Sequence, residues 1–317
     1  HYTDATNAAR TMLYNIQDQC WDEDLLDLFD IPENLLPDVL DNVADFGTTD
    51  LFGAPIPIGG MAGDQHAALI GQVCFKKGMV KSTYGTGCFL VMNIGDTFIT
   101  SENKLLTTIG YRLNGKVTYA MEGSIFVAGA AIQWLRDNLE FFKDASESES
   151  LAAQSKPDHG VYFVPAFTGL GAPYWNPYAK AMICGLTRDN TKADITRAAL
   201  EAQAYQTLDL MDAIKADTGT DPKVMRVDGG LVENDFMCQF LADMLGRDVD
   251  VPVYKETTVQ GAAYLAGLYS GQYKTLDDLT EKWNAEQSFT PSMDEQDRDN
   301  LYAGWQDAIA PLITAGQ

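Results

Sequence analysis

Four stretches of this 317-residue chain combine residue types and spacings that could do chemistry. In AGDQ, a carboxylate (Asp64) sits beside an apparent helix start. A carboxylate held rigidly at a strand end and facing a crevice suits a weak base that orients an attacking hydroxyl, as in phosphoryl transfer. The simpler alternative is a helix cap, for which Asp is favoured. In STYGTGCF, Gly85 and Gly87 could let backbone amides turn toward an anion, with the Thr86 hydroxyl as a further donor. A glycine turn between two strands explains the same letters. VDGGLVENDF reads as a strand ending at Asp228-Gly229-Gly230 and opening a helix. That junction could hold a ribose or phosphate, or could be a capped helix with glycines for close packing. FTGLGAPYWNP reads first as an ordered surface loop packed on its own aromatics.

The elements that must position these residues follow from periodicity. Residues 1 to about 45 read as helical, with DEDLLDLFD and PENLLPDVLDNV as short acidic helices. IPIGGM, at 56–61, reads as a short buried strand leading into the helix that begins near Asp64. GMVKSTYG and CFLVMNIG read as strands joined through the Gly-Thr-Gly, and Asn114-Gly115 between alternating runs signals a tight hairpin. A helix is expected from about Gly123 to Leu139, and another over 191–216, opening on Thr191 with Asp194 in capping-box spacing. Strands at KVMRVD and VDVPVY alternate with helices at 231–245 and TVQGAAYLAGLYSG, and a helical tail is expected from about Leu276.

Composition narrows the function classes. A net charge of −23, from 22 basic and 45 acidic residues, repels nucleic acid and anionic lipid, so neither is expected as a partner. No apolar run is long enough for a membrane-crossing helix. Cys20, Cys74, Cys88, Cys184 and Cys238 form no C-x-x-C pair, which argues against a zinc site or disulfide scaffold and fits a reducing, cytoplasmic setting. His1, His66 and His159 do not cluster in sequence, which argues against a His-based metal site or triad.

Taken in order, TDATNAARTMLYNI, IPIGGMAGDQHAAL, KSTYGTGCFLVMN, GSIFVAGAAIQWLRDNL, VYFVPAFTGLGAPYW, RVDGGLVENDFMCQFLADMLG and GAAYLAGL closely resemble the glycerol kinases of the FGGY carbohydrate kinases. The resemblance implies an α/β, actin-like ATPase fold of ribonuclease-H-like domains closing on a cleft. It implies transfer of phosphate from ATP to glycerol with Mg2+, with glycerol and ATP or ADP as partners. By motif, Asp64 would be the base, Gln65 would bond a glycerol hydroxyl, and Phe89 would pack on the glycerol carbons. Thr86 would face the terminal phosphates, Gly129 and Gln133 would line the nucleotide site, and Gly230 and Asn234 would hold its adenosine end. Residues 1–73 would be the end of the substrate-side N-terminal domain, and 74–317 the nucleotide-binding C-terminal domain with its helical tail.

Two departures shape the remaining expectations. The family's first phosphate loop, D-x-G-T-T-S, has no counterpart; DFGTTD follows apparent helices rather than a first strand. The chain is therefore expected to be the C-terminal portion of such an enzyme, self-associating or pairing with a missing N-terminal part. Some bacterial glycerol kinases bind a sugar bisphosphate through a Gly- and Arg-containing loop just before IPI. Here that loop reads LFGAPIPI, with no Lys or Arg between Val43 and Lys76, so such inhibition is expected to be weak. Another FGGY kinase, or a non-catalytic actin-like nucleotide-binding fragment, stays open as an alternative.

Overall fold

In a computed structural model, residues 1–316 fold around one seven-stranded mixed sheet. Its strands are β1 (Val80–Tyr84), β2 (Cys88–Gly95), β3 (Leu106–Leu113), β4 (Lys116–Ile125), β5 (Val224–Asp228), β6 (Asp248–Pro252) and β7 (Ala285–Phe289). Their spatial order is β7-β6-β5-β1-β2-β4-β3. β5 is parallel to β1 and β6; the other neighbours are antiparallel. The β3–β4 hairpin turns at Asn114 (φ 52°) and Gly115 (φ 72°), the positive-φ pair that a type I′ turn requires.

The main helices are α1 (Asp64–Gly71), α2 (Gly129–Asp137), α3 (Lys192–Thr218), α4 (Asp235–Leu245), α5 (Thr257–Tyr269) and α6 (Glu295–Ile313). α3 opens with the expected capping box: Thr191 Oγ1 accepts from the Ala193 amide, and Asp194 accepts from the Thr191 amide at 2.6 Å. The larger core lies between the sheet and α3, α4 and α6, around Tyr84, Leu90, Met121, Tyr205 and Trp305. A smaller core on the opposite face joins Leu69 and Ile70 of α1 to Val91, Ala120 and Leu265.

α1 and α5 meet backbone to backbone. A Cβ on Gly71 would lie 2.0 Å from the Thr257 carbonyl oxygen, and one on Gly261 would lie 1.8 Å from that of Ala67. Only glycine fits at either point.

Residues 1–45 are not chiefly helical. Asp4 caps one turn, Ala5–Ala8, and the chain then forms a small hairpin, Tyr14–Asn15 with Cys20–Trp21. Asn15 closes that hairpin by accepting from the amides of Gln17 and Asp18, the kind of local bond that competes with helix. The Tyr14 and Trp21 rings meet edge to face at 5.4 Å. Glu23–Leu28 is a helix, as expected, but Leu36 precedes Pro37 and is held extended at ψ 143°, so PENLL gives only a short 3-10 turn. Asp38–Leu40 then pairs in parallel with Tyr2–Asp4.

Three further expectations change. Ile56–Pro57 is a two-residue, exposed strand paired with Thr48–Thr49, not a buried one. The stretch from Gly123 continues β4 to Ile125, and α2 starts only at Gly129. The tail contains β7, which adds an edge to the sheet beside β6. Among the described residues, no helix is long and apolar enough to cross a membrane.

Candidate active site

Strand alternation explains how the site is built. Along β1, Val80, Ser82 and Tyr84 alternate with Lys81 and Thr83. Tyr84 enters the larger core and bonds Thr207 of α3 at 2.8 Å. Lys81 and Thr83 therefore face the α1 side. In register beside them are Val91 and Phe89 of β2, and beside these are Glu122 and Ser124 of β4. The start of α1 rests over this polar strip.

A buried polar network sets that start. Asp4, Thr6 and Asn42 are fully buried. Asp4 accepts from the Thr6 amide at 2.7 Å and from Asn42 Nδ2 at 2.8 Å. Asn42 Nδ2 also donates to the Met61 carbonyl, and Thr6 Oγ1 accepts from the Gly63 amide at 3.0 Å. The chain entering α1 is thus fixed by bonds rather than by a strand.

Asp64 is the first residue of α1, and Gly63 is its N-cap. The capping reading of Asp64 does not hold. Its carboxylate accepts only from the neighbouring Gln65 amide, at 2.7 Å, among the described residues. Asp64, Gln65 and Phe89 line one cavity of about 370 Å³, together with Asn7, Arg10, His66 and Glu122. The Arg10 guanidinium grips the buried Glu122 carboxylate through two bonds, at 2.9 and 3.0 Å. Burial, and then the charges of Arg10 and Lys81, push His66 down to about 3, so its imidazole is neutral at ordinary pH. Asp64 is accordingly the exposed carboxylate of this cavity and its candidate for a general base, since Glu122 is paired and the buried His66 holds a proton too weakly.

A second cavity of about 410 Å³ brings together Thr86, Gly129, Gln133, Gly230 and Asn234, all five positions that the family resemblance assigns to a nucleotide. Its floor is the turn between β1 and β2. Gly87 is there for space: a Cβ would lie 2.6 Å from the Ile125 carbonyl oxygen. Gly85 and Gly230 meet nothing that close and lie open. The Gly85 amide bonds the Gly87 carbonyl, whereas the amides of Thr86 and Gly87 and the Thr86 hydroxyl take no partner among the described residues. Three donors therefore remain for an anionic ligand.

The start of α2 is not free in the same way. Gly85 and Thr86 carbonyls accept from the amides of Ala128, Gly129 and Ala130. Gly129 is packed against Gly85, with 2.7 Å left for a Cβ. Asn234 caps α4 by accepting from the Met237 amide and also donates to Ser148.

Asp228 departs from both sequence readings. It is buried, neither caps a helix nor lines either of these cavities, and accepts from Gln72 Nε2 and Thr257 Oγ1, each at 2.7 Å. It joins the end of α1 to the start of α5. Gly229 turns at φ 94° directly over the Tyr84 carbonyl, where a Cβ would lie 2.5 Å away. The FTGLGAPYW loop lines neither cavity; its Trp175 packs edge to face on Phe126, as a structural loop would. Cys88, in the middle of the turn motif, has its thiol pushed up to about 12 by burial and is no nucleophile.

Sequence reasoning missed Arg10, Lys81 and Glu122. A signal was present: Lys81 and Glu122 are charges inside otherwise buried strands. Among the described residues, no cluster of His, Cys, Asp and Glu could hold a metal ion by itself.

The sequence model for the FGGY family of carbohydrate kinases, C-terminal domain, matches residues 80–269, and that for its N-terminal domain matches residues 1–71. The chain thus carries sequence of both domains, and reading it as a C-terminal portion alone is too narrow. A glycerol kinase of Alcanivorax borkumensis is 59% identical over 98% of this chain and 63% of its own length. One of Nitrosomonas eutropha is 60% identical over 100% and 64%. The chain thus spans somewhat under two thirds of the length of these curated relatives. The solved structure of Plasmodium falciparum glycerol kinase with ADP is similar at a TM-score of 0.91 and 38% identity, over 98% of this chain and 63% of that one. A xylulose kinase of Lactobacillus acidophilus, at 20% identity and a TM-score of 0.84, shares the fold. That fold is the actin-like ATPase fold, and the chain belongs to the FGGY family of carbohydrate kinases.

Proposed function

We propose that the protein carrying this chain is an ATP-dependent glycerol kinase, forming glycerol 3-phosphate by in-line phosphoryl transfer. The observation that carries the reading is that one short stretch of chain contributes to both cavities. Thr86, in the turn between β1 and β2, lines one, and Phe89, three residues on at the start of β2, lines the other together with Asp64. A nucleotide in the larger cavity and a small polyol in the smaller would meet at that turn.

In this reading Asp64 receives the hydroxyl proton as the oxygen attacks phosphorus. Gln65 bonds a glycerol hydroxyl, and Phe89, 37% exposed, offers its ring to the carbons. Thr86, with its own amide and that of Gly87, donates to the terminal phosphates. Gly129 and Gln133 line the nucleotide, and Gly230 and Asn234 hold its adenosine end. Mg2+ would neutralise phosphate charge; no cluster of the described residues would hold it by itself, so substrate phosphates would supply most of its ligands. The division into 1–73 and 74–317 is kept as the substrate-side and nucleotide-side units. Leu51 and Phe52, 85% and 79% exposed on the 48–57 hairpin, would suit a contact with another subunit. The five unpaired cysteines fit a cytoplasmic setting.

The test is a coupled assay of the full-length protein with ATP, Mg2+ and a panel of polyols and pentuloses. Turnover preferring glycerol supports the reading; no turnover, or preference for a pentulose, overturns it.

A further inference from the structure

Lys81 is wholly buried with no carboxylate in hydrogen-bond reach; burial pushes its ammonium below the ordinary lysine range, and the charge of Asp228 works against that shift. Its ammonium donates to Gln65 Oε1, to Thr83 Oγ1 at 2.9 Å and to the Phe89 carbonyl at 3.4 Å. Three donors thus meet three acceptors. Two of these belong to residues of the Asp64 cavity, and the third stands on the same strand face. An unpaired charge inside a sheet is costly, and nothing in the packing of this strip calls for one. Asp228 and Glu122, the carboxylates whose charge acts on it, are engaged elsewhere.

The consequence falls on Gln65. A primary amide has one acceptor end and one donor end. An ammonium can only donate, so it holds the Gln65 carbonyl oxygen, and the amide nitrogen is left for the cavity. A hydroxyl bound there must accept from Gln65 through an oxygen lone pair. Its own O–H is then free to point at a carboxylate, and Asp64 is the next residue. The amide polarity thereby selects the hydroxyl rotamer that delivers its proton to Asp64.

We propose that Lys81 is a positioning residue that fixes Gln65 as a donor toward the substrate hydroxyl and so aligns that hydroxyl for Asp64. The proposal rests on the glycerol kinase reading and deepens it. Lys81 does not touch the substrate.

The experiment is a double-mutant cycle in the full-length protein, with Lys81→Met, Gln65→Ala and the pair, read as separate kcat and KM for glycerol and for ATP. If the unsubstituted protein does not turn over glycerol, the functional reading fails before this one is reached. If it does, Lys81→Met should lower kcat/KM for glycerol roughly tenfold to a hundredfold, the range for a lost bond to a charged group, with KM for ATP unchanged. In the Gln65→Ala background the same substitution should add less than about twofold. Equal losses in both backgrounds, or a loss shared by ATP, would overturn the positioning role. If Lys81→Met fails to fold, Gln65→Glu keeps the question open to test. It can pair with Lys81 but presents no donor, so it should cost glycerol affinity as Gln65→Ala does; full affinity overturns the proposal.

Discussion

At the scale of single residues, the site separates charges that work from charges that hold. Asp64 is exposed at the cavity, whereas Glu122 is buried and spent on Arg10. Asp64→Asn should lower kcat of the full-length protein by about a hundredfold or more, the usual range for a lost general base, and leave nucleotide affinity within about twofold by calorimetry. Retained turnover would remove the base role. A second buried acid matters for stability. Asp209 on α3 accepts from Tyr302 at 2.7 Å and Trp305 at 3.0 Å on α6, and burial pushes its carboxyl up to about 6. The folded state therefore holds that proton more tightly than the unfolded chain. The resulting stability is full below the unfolded value, near 3.8, and is lost as pH rises through about 6. Melting temperatures of the unsubstituted protein and Asp209→Asn, compared from about pH 4 to about pH 7, should shift in the variant's favour as pH rises. Parallel curves would contradict this.

At the scale of elements, the backbone contact between α1 and α5 governs how firmly Asp64 is held. Gly71→Ala should destabilise the protein by roughly 3 kcal/mol, the upper range for overpacking, because the added carbon meets a carbonyl rather than a side chain that can move. Urea unfolding measures it, and a loss below about 0.5 kcal/mol would mean the helices slide apart freely. The Asp4–Thr6–Asn42 network makes a different demand. Thr6→Val keeps the shape but strands the Gly63 amide, and should cost about 1–3 kcal/mol and slow turnover together.

The same elements show what was legible. The hairpin at Asn114-Gly115, the α3 capping box and the gathering of Thr86, Gly129, Gln133, Gly230 and Asn234 were readable because turn chemistry and motif order are local signals. Residues 1–45 were misread because the apolar spacing of AARTMLYNI suits a helix, while Asn15 and Pro37 impose turns that periodicity does not see. Asp228 was misread because its partners, Gln72 and Thr257, are brought to it only by tertiary packing.

At the scale of the molecule, residues 1–73 are fastened to the sheet rather than appended to it. Asn42 Oδ1 accepts from the β3 backbone at Arg112, and Arg112 itself bonds Asp41, Tyr14 and the Val39 carbonyl. Arg10 reaches β4, and α1 meets α5. Thermal unfolding should therefore be a single transition, with far-ultraviolet dichroism and tryptophan fluorescence coincident, since Trp21 and Trp283 report opposite parts of the chain. Two separated transitions would show that the N-terminal segment melts on its own.

The turn at 84–89 has a consequence for anyone wishing to alter the specificity of this protein. It is held on three sides, with Gly87 pressed on β4, Gly129 pressed on Gly85, and Gly229 pressed on Tyr84. On the proposed reading, a library that varies this loop to admit a larger acceptor would also disturb the surface offered to the phosphate donor.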